Sequence, residues 1–178
     1  MFRDKGFAAS TVRDIAAAVG MEAASLYNHI QSKHEILHDI CFAIANMYTE
    51  KIEELLNETG SPLVKIKRLV HLHIDTNLME TPLARVTNDE WIHMSEEDRE
   101  KYARMKREYE DNFIELIQEG MDLEQIKSRD ATVVFFTILS MIRWTQNWQG
   151  TAHEMNVEVI KDNVTKMVFD SFVQPDLL

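Results

Sequence analysis

From Ser32 to Asn57 the chain runs for more than two dozen residues without a glycine or a proline. Breakers are scarce throughout, with 5 Gly and 3 Pro in 178 residues. Glycine and proline are the residues that end or kink helices, so a chain this poor in both is free to form long ones. No stretch shows the alternation of apolar and polar residues that marks a strand. The expected fold class is therefore all-α, with about eight helices.

The start of the chain is denser in signals. Thr11-x-x-Asp14 has the form of a capping box, with Ser10 as an alternative cap. Val12, Ile15, Ala16 and Val19 follow at the spacing of one helix face, and Gly20 stops that helix. After the turn Gly20-Met21-Glu22, a second short helix is expected from Ala23 to Ile30, with Leu26 and Ile30 inward. Two short helices around a glycine turn form a helix-turn-helix unit. Ser32-x-x-Glu35 opens a long helix that runs to "NETGSP", residues 57–62. Further helices are expected over 62–79, 83–93, from Ser95 to Gly120, over 130–149 and over 154–173.

Charge is unevenly spread. Residues 1–38 hold Arg3, Lys5, Arg13 and Lys33 against Asp4, Asp14, Glu22 and Glu35, so the net charge of −11 lies in the remainder. A neutral head on an acidic body can still bind DNA if its cations face the phosphates. The single cysteine, Cys41, excludes an internal disulfide and fits a reducing compartment. The longest near-apolar run, 131–142, falls short of the roughly 20 residues a membrane span needs. A cytoplasmic protein without a membrane partner is expected.

His34-Glu35-Ile36-Leu37-His38 matches H-E-x-x-H, a zinc-hydrolase motif. The candidate third ligands Glu53, Glu54 and Glu58 share its helix, and at 1.5 Å per residue Glu58 lies about 30 Å from His38. One zinc ion cannot span that distance. A capped helix start is the expected reading, with no metal, cofactor or catalytic residue. No phosphate loop or nucleophile elbow appears either.

The segment "GFAASTVRDIAAAVGMEAASLYNHIQSKHEIL", residues 6–37, resembles the DNA-binding signature of the TetR family of bacterial transcriptional regulators. Gly6-Phe7, Thr11, Ile15-Ala16, Gly20, Leu26-Tyr27, His29 and Ser32-Lys33 carry the resemblance in order and spacing. It implies a DNA-binding domain over 1–42, its first helix reduced to the residues before Gly6, and a ligand-binding and dimerisation domain over 43–178. Ala24, Ser25, Asn28 and His29 are the expected base-facing residues, and an asparagine can pair bidentately with adenine. Thr11, Arg13, Tyr27, His29 and Lys33 are the expected phosphate contacts.

Residues 88–121 and "MIRWTQNWQG", residues 141–150, are similar to a subgroup of that family that responds to acyl-CoA thioesters. The resemblance implies an apolar or amphipathic effector. Trp91, Met94, Tyr109, Phe113, Phe136, Met141 and Trp144 are its candidate lining. Arg143, a cation in an apolar helix, is the candidate partner of an anionic group. Trp144 and Trp148 are expected on one helix face. The last two helices are candidates for a homodimer bundle on an operator duplex. The function expected is a ligand-responsive repressor. Alternatives are an efflux-type drug sensor of the same fold, a zinc hydrolase through His34 and His38, and a helical interaction module without DNA affinity.

Overall fold

A computed structural model describes residues 1–79, 81–150 and 156–175. Among these the helices are α1 (Phe2–Lys5), α2 (Val12–Ala18), α3 (Ala23–Leu26), α4 (Lys33–Asn57), α5 (Pro62–Met79), α6 (Thr81–Asp89), α7 (Glu96–Asp122), α8 (Ala131–Arg143) and α9 (Val157–Phe172). Two 3-10 segments, Trp91–His93 and Trp144–Gly150, complete the helical structure. The described residues hold no strand, only an isolated bridge between Ile126 and Val173. The expected all-α class holds.

Several ends differ from the sequence reading. The second short helix closes at Leu26, and residues 27–30 continue as turns in which the amides of His29 and Ile30 donate to the Leu26 carbonyl. The stretch expected as one helix over 83–93 is α6 followed by a separate 3-10 turn. The last helix begins at Val157, and the expected start at 154 lies outside the described residues. Gly120 does not end α7, which runs on to Asp122. Its role is spatial, because a Cβ there would sit 2.7 Å from Ile126 Cδ1.

The chain divides into two compact units, residues 1–47 with 82–106, and residues 48–81 with 107–178. They do not coincide with the contiguous blocks 1–42 and 43–178, since residues 82–106 fold with the N-terminal segment. In the first unit Phe2, Phe7, Leu37, Cys41, Val86, Met94 and Tyr102 form the core. In the second, α5, α8 and α9 pack on one another. Their apolar faces join α7 through Ile66, Phe113, Ile117, Phe135 and Ile138, all buried.

Phe113 has no exposed surface and meets Phe135 edge-on at 5.3 Å. Truncating a ring at such a site removes its transfer energy and leaves a cavity. Phe113→Ala is expected to cost about 3–5 kcal/mol, read as a lowered midpoint in chemical denaturation.

Candidate nucleic-acid interface and effector site

Helices of seven and four residues cannot hold themselves by propensity, so their ends carry the helix-turn-helix. Thr11 caps α2: its hydroxyl accepts from the Asp14 amide at 3.1 Å, and the Asp14 carboxylate accepts from the Thr11 amide at 3.0 Å. The Thr11 hydroxyl, donating to the Asp14 carboxylate at 2.7 Å, and then the Thr11 amide and Lys5 at 3.9 Å, hold the Asp14 carboxyl below its ordinary range. At the other end Gly20 takes φ 69°. The Met21 amide reaches back to the Ala16 carbonyl at 2.9 Å and the Gly20 amide to Ala17 at 3.2 Å. These two bonds are the Schellman closure, which needs a left-handed residue where Gly20 stands.

α2 and α3 pack together around buried Ala16 and Leu26. The residues expected to meet bases are outward. Ala24, Ser25, Asn28 and His29 are exposed, and Tyr27 is 56% exposed. Thr11 and Arg13, at the start of α2, are also exposed. Val19, expected on the inner face of α2, is exposed as well.

Lys33 is placed otherwise than expected. Its ammonium donates to the carbonyls of Phe7 at 2.9 Å, Ser10 at 3.0 Å and Ala8 at 3.3 Å, and it sits 4.3 Å from the Phe7 ring centre. Three acceptors match the three N–H bonds of an ammonium. The Glu35 carboxylate reaches back not to Ser32, as expected, but to the amide of Gln31 at 2.6 Å. Of the two motif histidines, His34 meets the Phe7 ring edge-on, while His38 stacks on Phe42 and faces Asp39 and Asp98.

The candidate effector residues do not converge. Met94 belongs to the core of the first unit, and Trp91, half-buried, packs against it. Tyr109 and Phe113 are buried in the second. Phe136 is 51% exposed and Met141 half-buried; with Thr132, Val133, Thr137 and Ser140 they line an open hollow of about 530 Å³ on the outer face of α8. Arg143 and Trp144 are exposed at the end of α8. There the winding tightens to 3-10 and separates the two tryptophans: Trp144 faces out, whereas Trp148 packs against the core. At three residues per turn, positions four apart no longer share a face.

A polar group of which the sequence reading singled out only Tyr109 lies inside the second unit. The His73 ring stacks on Tyr48 at 4.4 Å, and its Nε2 is 2.8 Å from the Tyr109 hydroxyl. Tyr48 hydrogen-bonds Thr76, whose hydroxyl donates to the Leu72 carbonyl. Burial pushes His73 down to about 4 and Tyr48 up to about 12, and raises Tyr109 well above its ordinary value. Burial keeps the trio uncharged at neutral pH. The signal in the sequence was His73 itself, one of two histidines, with His71, in the second half of α5.

Residues 1–40 match the family model described as bacterial regulatory proteins, tetR family, and residues 59–172 the tetracyclin repressor-like C-terminal domain. A similar curated protein is the HTH-type transcriptional repressor KstR2 of Mycolicibacterium smegmatis, 25% identical over 122 residues. That match covers 68% of this chain and 60% of the relative's length. Among solved structures, the ketosteroid transcriptional regulator KstR2 of Mycobacterium tuberculosis superposes with TM-score 0.88 at 18% identity, covering 98% of this chain and 90% of that one. AibR in complex with isovaleryl coenzyme A and operator DNA superposes with TM-score 0.80 at 24% identity, covering 94% and 91%.

The depressed His73 sets a pH dependence. An unfolded histidine takes its proton near 6.5, while the folded one stays neutral to about 4. Between those values the unfolded chain binds more protons, so stability falls as pH drops through that window and is level above it. The loss reaches about 3 kcal/mol for this group. His71 is lowered too, by burial first, and acts in the same direction. Denaturation at pH 7 and at pH 4.5 is expected to show a smaller acid loss in His73→Gln than in the wild type.

Proposed function

The chain belongs to the TetR family of bacterial regulatory proteins, and from that premise we propose that it is a dimeric repressor released from its operator by an apolar, acyl-thioester-like ligand. The observation that carries the DNA half is the outward polar set Ser25, Tyr27, Asn28 and His29, held between the capped start of α2 and the start of α4. Asn28 and His29 would read base edges, Ala24 a thymine methyl, and Thr11, Arg13 and Tyr27 the phosphates. Because those phosphate contacts displace counterions, affinity would fall with salt.

The dimer reading rests on unmatched apolar surface. Val133 and Phe136 on α8 and Met167 on α9 are each more than half exposed. Val133 and Phe136, with Thr132, Thr137, Ser140 and Met141, leave a hollow that side chains of a second copy would fill. Two α8–α9 pairs would then form a four-helix bundle and set two reader helices for a palindromic site.

The ligand reading rests on two features of the second unit. Tyr48, His73 and Tyr109 supply neutral hydrogen-bonding groups suited to a carbonyl. Arg143, exposed beside Trp144, suits the phosphates of a coenzyme A carrier. AibR, of the same fold, was solved with isovaleryl coenzyme A. Phe113, buried in the second unit, remains an apolar candidate for the acyl part, whereas Phe136 and Met141 belong to the outer hollow of α8.

Duplexes selected from a random pool by the protein, followed by fluorescence anisotropy, test the whole. Asn28→Ala is expected to cost about 1–3 kcal/mol on the selected duplex and to relax preference at one base position. Phe136→Glu is expected to sediment as a monomer and to bind DNA far less tightly. Isovaleryl coenzyme A is expected to release the duplex while free coenzyme A does not, with weaker release in Arg143→Ala and Tyr109→Phe. Release by cationic drugs instead would favour an efflux sensor, and failure to select any duplex would end the repressor reading.

A further inference from the structure

The stretch before α2 points its carbonyls in one direction. The Ser10 hydroxyl, itself buried, donates to the Gly6 carbonyl at 2.8 Å, and the Ser10 amide donates to the Phe7 carbonyl at 3.2 Å. The carbonyls of Phe7, Ala8 and Ser10 meet the Lys33 ammonium, which reaches them from the first turn of α4, more than twenty residues along the chain. Beneath it the Phe7 ring is buried among Phe2 at 5.2 Å, His34 at 5.0 Å and His93 at 5.5 Å. The cation therefore has a ring on one side and three carbonyl oxygens around it. Directly after this turn, Thr11 and Asp14 begin α2.

We propose that Lys33 is a positioning residue for DNA recognition: its ammonium binds the 7–10 turn to the start of α4 and so fixes the lead into α2, and it does not contact phosphate. This rests on the operator-binding reading above. Residues 11–30 lie between the two points that Lys33 joins, so one bond cluster closes the reader unit on itself. An ammonium has three donors and all three are taken. A phosphate could gain the charge only by stripping it from carbonyls whose backbone would then lose its partner.

Arginine separates the two roles. Its charge serves a phosphate at least as well as lysine, but its planar fork cannot converge three N–H bonds on one point. Three readouts are taken on the wild type, Lys33→Arg and Lys33→Met. They are thermal unfolding, amide exchange at residues 10–15, and binding to a duplex selected by the wild type at several salt concentrations. A positioning role is expected to lower affinity by about tenfold in both variants. The slope of log affinity against log salt would stay at the wild-type value, and exchange at residues 10–15 would accelerate. A phosphate contact would instead reduce that slope by about 0.9 per contact in Lys33→Met and leave Lys33→Arg near wild type. That result, or unaltered amide exchange in Lys33→Arg, would overturn the proposal. If Lys33→Met does not fold, Lys33→Arg alone decides. Failure of the wild type to select any duplex would count against the operator reading and leave the exchange measurement to judge the clamp.

Discussion

A reader built from a seven-residue and a four-residue helix must be held by the bonds at its ends, because nucleating so short a helix costs more than its few internal bonds return. The chain meets that constraint with three devices in sequence order. The Thr11–Asp14 box satisfies the first amides of α2, the Gly20 turn closes its last carbonyls, and Lys33 gathers the carbonyls that lead in. The first two satisfy backbone groups that a short helix leaves unpaired, and Lys33 satisfies carbonyls of the turn that precedes α2. The outward face of α3 is thereby left with little internal work, and its exposed side chains are available to a partner.

Features governed by local chemistry were the ones legible in the sequence. Thr11, Asp14 and Gly20 act within five residues of their partners, and all three were found by spacing alone. So were the long α4, the start of α5 at Pro62 and the Ser95 cap of α7, whose hydroxyl accepts from the Asp98 amide. Features that depend on distant parts of the chain were not. Lys33 looked like any surface cation near a reader helix, because its acceptors lie more than twenty residues earlier. Gly120 looked like a stop, but what it accommodates is the side chain of Ile126. The capping box at Ser32 misled in a smaller way: Glu35 bonds Gln31, one residue beyond the expected partner.

The end of α8 shows why the effector residues were only partly legible. An α-helical reading through residue 149 puts Trp144 and Trp148 together. In the structure the Ile142 carbonyl accepts the Thr145 hydroxyl at 2.7 Å and the Asn77 amide of α5 at 3.4 Å. Side-chain donors of this kind offer the carbonyl an alternative to the helical ladder. The winding becomes 3-10, and Ile142, Thr145 and Trp148 then fall on one inward line at a period of three. One buried asparagine on a different helix accompanies this change of face, which local periodicity had no means to register.

The polar trio in the second unit bears on what kind of ligand such a protein can accept. Were His73 charged, a buried cation would attract anions at a large desolvation cost. Held neutral by its surroundings, with Tyr48 stacked on it and Tyr109 bonded to it, it favours polar but uncharged groups. The exposed cation Arg143 lies instead at the surface end of α8. Under the proposed function, an amphipathic ligand would set a neutral carbonyl toward the trio and its phosphates toward Arg143.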